Sequence, residues 1–123
     1  MDPKLKDQIK PNADLISRDF TGADLSGADL YRANLIYSNL KRANLKGANL
    51  SYANLAATNL SGADLREADL TGANLKYSNL VKADFRGAKL KDASFLQARM
   101  IVVKHSEQEE LLRELTWRYH VHD

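Results

Sequence analysis

Large apolar residues recur at every fifth position along most of the chain. From Leu15 they run through Phe20, Leu25, Leu30, Leu35, Leu40, Leu45, Leu50, Leu55, Leu60, Leu65, Leu70, Leu75, Leu80, Phe85, Leu90 and Phe95 to Met100. A small residue stands two places before each, with Arg18 the one misfit. Asp or Asn stands one place before each from Asp14 to Asp84, and the pattern then loosens to Lys89, Ser94 and Arg99. A period of five fits neither the helical 3.6 nor the strand 2.0, so no ordinary amphipathic element places every Leu on one side. The chain must turn once per repeat. Short extended segments joined by corners predict an all-β solenoid in which the central Leu and the small residue both point inward. Asp and Asn suit the corner because their side chains bond nearby backbone groups, and Gly22, Gly27, Gly47, Gly62, Gly72 and Gly87 stand two places after a central residue, where a missing Cβ relaxes the turn.

The irregular residues give the size of one coil. Ser38, Thr58 and Ser78 replace the small residue at intervals of twenty, and Tyr37 and Tyr77 lie forty apart. Four pentapeptides per coil therefore stack residue n beneath residue n+20, making about four and a half coils. At about 4.8 Å per rung the stack is on the order of 20 Å tall. The predicted core includes Phe20, Leu25, Leu45, Leu65, Phe85 and Phe95.

The repeats occupy residues 13–102, and each end has a segment that can cover the exposed rung. Residues 1–12 form an amino-terminal cap or flexible lead-in: Asp2-Pro3 can start one helical turn through Leu5 and Ile9, which Pro11 would end. Within residues 103–123, Ser106 followed by Glu109 resembles a capping box, and Leu111, Leu112, Leu115 and Tyr119 recur at helical spacing beside Trp117. A carboxy-terminal α-helical cap over about residues 107–120 is expected, with an interface for a dimer or partner as the alternative.

Ala23-Asp24-Leu25-Ser26-Gly27 and Ala43-Asn44-Leu45-Lys46-Gly47 resemble the Ala-Asp/Asn-Leu-x-x unit of the pentapeptide-repeat family. The resemblance extends from residue 13 to about 102. It implies a right-handed quadrilateral β-helix with the Leu/Phe and Ala/Ser positions inside. Some members resemble duplex DNA in shape and charge and occupy DNA gyrase; most have no assigned biochemical role.

Charge bears on those roles. The repeats hold nine acids and twelve bases, a net charge of +3, the wrong sign for a DNA mimic. Direct nucleic-acid binding is suggested by the column Lys46, Arg66, Arg86 with Lys41, Arg42 and Lys82 alongside, but Glu67, Asp64, Asp69 and Asp84 break it into a mixed, solvated face. No cysteine is present, so disulfides, thiolate metal sites and cysteine nucleophiles are excluded. His105, His120 and His122 all lie outside the repeats, and the column above Asp14 is Asn34, Asn54 and Asn74, a weak charge set for calcium. No catalytic residue, cofactor or metal site is expected.

The charged opening, Met1 to Asp7, lacks the apolar run of a signal peptide, and no segment approaches transmembrane length. The expectation is a cytoplasmic, non-catalytic scaffold that binds an unidentified protein, with no membrane and no nucleic acid, monomeric unless the carboxy-terminal helix pairs. The twenty-residue alignment selects the contact surface. Ile16, Ile36, Tyr37, Ala56, Ala57, Tyr77 and Leu96 fall on the most apolar side, while Tyr31 and Tyr52 add aromatic area to another.

Overall fold

The computed structural model describes residues 3–100. Its unit is seen most simply at Ala53-Asn54-Leu55-Ala56-Ala57, where every backbone N–H has a different, assigned acceptor. Ala53 N–H closes a turn on the Leu50 carbonyl at 3.0 Å. Asn54 N–H reaches down one rung to the Ala33 carbonyl at 2.9 Å, while Leu55 and Ala57 reach up to the Asn74 and Lys76 carbonyls at 2.7 and 2.9 Å. Ala56 N–H has no backbone partner and donates instead to Oδ1 of Asn54 at 3.1 Å. A buried or half-buried backbone donor must be satisfied, and this explains the Asp/Asn column. The same bond recurs at every such residue from Asp14 to Asp84, for example Asp19 to Thr21 at 3.0 Å and Asn79 to Val81 at 3.1 Å.

Stacking follows the twenty-residue register. Parallel bridges join Asp14 to Asn34, Asn34 to Asn54, Asn54 to Asn74 and Asn74 to Ser94, and three further ladders run in step on the other sides. Each bridge is isolated. A five-residue unit spends its last two residues on the corner, so too few remain between corners for a regular strand, and the β character is a stack of single bridges.

The corners share one geometry. Eighteen corners among the described residues, from Asn12 to Gln97, have a residue with positive φ, two places after a central position in every case but Asn12, and only six of them are glycine. With the bond from residue i+3 back to residue i, as in Ala23 N–H to Phe20 O at 2.9 Å, this is the sign pattern of a type II turn. Twelve non-glycine residues, including Tyr37, Tyr52, Ala57 and Tyr77, therefore sit in the left-handed region. The rungs above and below over-determine their backbone.

Inside, Leu and Ala columns fill the stack; Leu25, Leu45 and Leu65 are buried, with Phe20 near one end and Phe85 and Phe95 near the other. The last two rings meet edge to face with centroids 6.3 Å apart. Burial of each large side chain contributes about 1.5–3 kcal/mol, and the small column leaves room for it. Thr58 and Ser78 are buried there because each hydroxyl donates to a carbonyl three residues back, Leu55 at 2.8 Å and Leu75 at 2.7 Å. Ser38 Oγ, equally buried, has no hydrogen-bond partner.

At the amino-terminal end, α1 (Pro3–Lys6) is a single turn whose Leu5 joins the core, with Ile9 packed beside it. The helix stops before Pro11, which instead enters the first corner: Asn12 has φ 62° and its N–H donates to the Tyr31 carbonyl at 2.8 Å. Arg18 keeps its backbone in register, accepting from Asn39 N–H at 2.9 Å, while its side chain is exposed at this end of the stack. The expected carboxy-terminal helix, with Trp117, Tyr119 and all three histidines, lies outside the described residues.

Candidate functional site

The corner geometry decides which outward residues share a surface. Since residues one and two places after the central position form the turn, Ile16, Ile36, Ala56, Lys76 and Leu96 make one vertical column and Ser17, Tyr37, Ala57, Tyr77 and Gln97 the next, together forming one corner of the prism. The expected apolar side is thus a ridge where two walls meet. Tyr37 and Tyr77 are 65% and 59% exposed, Ile16 and Leu96 are 42% and 39% exposed, and Ile36, Ala56 and Ala57 are half-buried. The structure brings all seven predicted contact residues onto this ridge.

The wall after the ridge has Asp19, Asn39, Asn59, Asn79 and Arg99 along its middle and Thr21, Lys41, Ser61 and Val81 along its far edge, with Arg42 and Lys82 at that corner. Oδ1 of Asn39, Asn59 and Asn79 accepts from the N–H of Lys41, Ser61 and Val81 at 3.0, 3.0 and 3.1 Å. Each amide thus has its Oδ1 held by the corner and its Nδ2 donor left for other partners. Arg42 lays its aliphatic stem along Gly62, whose added Cβ would meet Arg42 Cγ at 3.3 Å.

The structure gives the mixed face that the sequence suggested for the column Lys46, Arg66 and Arg86. Arg66 and Arg86 lie on the following side and fold back onto carboxylates two residues earlier, with Nη2 to Oδ2 distances of 2.7 Å to Asp64 and Asp84. These two aspartates are bridged on neighbouring rungs, so each arginine relieves a like-charge pair. The arginine bonds hold both carboxyls below the usual carboxylate range despite partial burial. Hydroxyl and backbone donors of Thr21, Ser26 and Thr71 do the same for Asp19, Asp24 and Asp69. With Arg66 and Arg86 so engaged, the exposed bases Arg18, Lys41, Arg42, Lys82 and Arg99 stand against Asp19 alone on the wall beside the ridge, a net charge of +4 (five minus one). The other three sides of the repeat together carry −1 (+3 minus +4).

A second aromatic group lies at the neighbouring corner, across the wall of Asn34 and Asn54 from the ridge. Tyr31 and Tyr52 meet edge to face with centroids 6.1 Å apart, and the Arg32 guanidinium carbon sits 5.5 and 5.9 Å from them. Arg32 Nε donates to the Tyr31 hydroxyl at 3.1 Å. Tyr52 lies over Gly72, where an added Cβ would come within 2.5 Å of its ring. The sequence placed both tyrosines on one side; the one-rung offset of Arg32 and Tyr52 was the available sign of their contact. Among the described residues no three His, Cys, Asp or Glu side chains are grouped to hold a metal ion, and no helix is long and apolar enough to cross a membrane.

The fold has solved counterparts. A pentapeptide repeat protein from Nostoc Pcc 7120, alr5209, is 42% identical, with a TM-score of 0.67 over 68% of this chain and 69% of that one. Rfr23 from the cyanobacterium Cyanothece 51142 is 34% identical with the same TM-score, over 68% of this chain and 56% of its own. A pentapeptide repeat protein of the Arabidopsis thaliana thylakoid lumen is 27% identical with a TM-score of 0.51, over 83% and 75%. No curated protein matches the chain. The family described as pentapeptide repeats matches in eight copies, over residues 12–47, 38–76, 48–87 and 68–101. With nearly all of its described residues within that match, and with a ladder that repeats every twenty residues, the chain belongs to the pentapeptide-repeat family.

Proposed function

We propose that this protein is a non-catalytic scaffold that holds another protein against its apolar ridge. One observation carries the reading. Of the five large hydrophobic side chains exposed among the described residues, Ile16, Tyr37, Tyr77 and Leu96 all lie on this one corner; only Tyr52 lies elsewhere. Isolated exposed apolar groups are ordinary, but a contiguous strip is a contact surface, and tyrosines supply contact area at low entropic cost. From Ile16 to Leu96 the strip rises four rungs, about 19 Å. Its backbone is fixed by inter-rung bonds at every corner, so little ordering is needed on binding. The net charge of +3 on the repeats (twelve bases minus nine acids in residues 13–102) favours this reading over mimicry of DNA.

The test compares wild type with Tyr37→Glu/Tyr77→Glu as bait for capture from native extract. Both side chains are more than half exposed, so the thermal midpoint is expected to stay within a few degrees while capture falls. Undiminished capture by the double variant would remove the ridge as the contact site.

A further inference from the structure

The ridge and the wall beside it differ in chemistry, and the pair defines a partner. We infer that the surface from Tyr37-Ala57-Tyr77 across Asn39-Asn59-Asn79 to Lys41, Arg42 and Lys82 receives an acidic amphipathic α-helix of another protein, lying parallel to the solenoid axis. The inference rests on the ridge being a contact site and goes on to name what it contacts.

Hydrogen-bonding capacity sets the partner's charge. Each asparagine Oδ1 already accepts from a corner N–H, so the amide NH2 donors outnumber the acceptor sites left along the middle of the wall. Lys41, Arg42, Lys82 and Arg99 present only donors. Asp19, the wall's one carboxylate, is at its lower end and already accepts from Thr21 N–H at 3.0 Å and Thr21 Oγ1 at 2.7 Å. A donor-rich surface with a net charge of +4 is complemented by a surface of carboxylates.

Spacing sets the partner's secondary structure. Rungs repeat at about 4.8 Å and an α-helix repeats at about 5.4 Å, so a helix along the axis presents about one side chain per rung. An extended strand presents same-face residues every ~6.6 Å and loses step after one rung. Tyr37 and Tyr77 are two rungs apart, ~10 Å, close to the ~10.5 Å between residues i and i+7 of a helix. Ala57 lies between them and leaves room for an apolar side chain. Lys41 and Lys82 also stand two rungs apart in adjoining columns, so one apolar stripe and one acidic flank can be engaged together. Nucleic acid is a poorer fit, because the wall has no aromatic side chain on which bases could stack beyond the ridge itself, and Tyr31 and Tyr52 lie at another corner, off this wall.

The experiment uses the full chain and a fluorescein-labelled synthetic 18-residue helical peptide with leucines at i, i+3/i+4 and i+7 and glutamates along one flank. Fluorescence anisotropy is read at low and moderate salt. The expected result is saturable binding that weakens with salt, falls about tenfold or more in Lys41→Glu/Lys82→Glu, and is absent for the same peptide with lysine in place of glutamate. Equal binding of the lysine peptide, no effect of Lys41→Glu/Lys82→Glu, or no binding of the glutamate peptide would overturn the inference. So would binding of a labelled duplex oligonucleotide, or self-association by light scattering, that is lost in the same variant in place of peptide binding. If the peptide fails while Tyr37→Glu/Tyr77→Glu still abolishes cellular capture, the ridge reading stands and the acidic helix falls.

Discussion

Gly72→Ala tests the corner geometry and the aromatic cluster in one substitution. At Gly27, φ is +66° and an added Cβ meets nothing within 4 Å. Gly27→Ala therefore isolates the backbone penalty of a side chain in the left-handed region, about 1 kcal/mol net of the entropy that alanine removes from the unfolded chain. Gly72 has the same φ, +66°, but its added Cβ would lie 2.5 Å from Cδ1 and Cε1 of Tyr52. The ring must leave. It then loses its edge-to-face contact with Tyr31 at 6.1 Å, about 0.5–1.5 kcal/mol, and its contact with Arg32 at 5.9 Å, about 0.5–1 kcal/mol. Gly72→Ala should thus cost roughly 2–3.5 kcal/mol. Urea unfolding followed by circular dichroism measures both variants. In a Tyr52→Ala background the cost of Gly72→Ala should return to about 1 kcal/mol. Equal costs in the two backgrounds would refute the packing of Tyr52 over Gly72.

Other variants probe the remaining parts. Asn54→Ala removes the acceptor for Ala56 N–H and should cost about 0.5–1.5 kcal/mol in urea unfolding, whereas Asn54→Asp keeps the acceptor and should cost much less. Ser38→Ala deletes a buried hydroxyl with no partner and should leave the melting temperature unchanged or raised; Ser78→Ala breaks a 2.7 Å bond to Leu75 O and should lower it. Asp19, Asp24, Asp64, Asp69 and Asp84 have carboxyl pKa values lowered by folding. Their stabilisation is therefore complete above the ordinary carboxylate range, near pH 4, and is lost as pH falls below it through the lowered values of the folded state. Melting temperature should be flat from pH 7 to about 5 and drop below about 4, and Asp19→Asn with Asp24→Asn should shallow that drop because Asn retains the corner bond; a drop of unchanged steepness would count against it.

The inward half of this molecule was legible because burial enforces it: Leu at one column and Ala or Ser at another are both buried in the stack, where a change of size is felt. The twenty-residue register was legible for a similar reason, since Ser38, Thr58 and Ser78 can replace Ala only where a hydroxyl fits, one above another. The outward half was less so. Asp64 and Asp84 already marked the column of Arg66 and Arg86 as a mixed face, but not which acid each arginine takes; the spacing of two residues between acid and base was the signal for the pairs seen. Glycine marked only six corners, although Tyr37, Ala57 and Lys82 adopt the same left-handed turn. There the neighbouring rungs, through inter-rung bonds such as Ala57 N–H to Lys76 O at 2.9 Å, override local preference. The apolar side read as a wall turns out to be a corner for the same reason: the outward pair after each Leu is the turn itself.

Everything proposed for the ridge depends on residue n lying against residue n+20 along it. The chain contains no cysteine, so an engineered pair can report that register without background. Ile36→Cys with Ala56→Cys places the pair on adjacent rungs, with Cα atoms about 5 Å apart and within disulfide reach. Ile36→Cys with Ser51→Cys or with Ser61→Cys, separated by fifteen and twenty-five residues, places the partners on different corners. Under mild oxidation of native protein, the twenty-residue pair should form an intramolecular disulfide rapidly and the other two should keep free thiols. Comparable oxidation of all three pairs, or preferential oxidation at fifteen or twenty-five, would contradict the account.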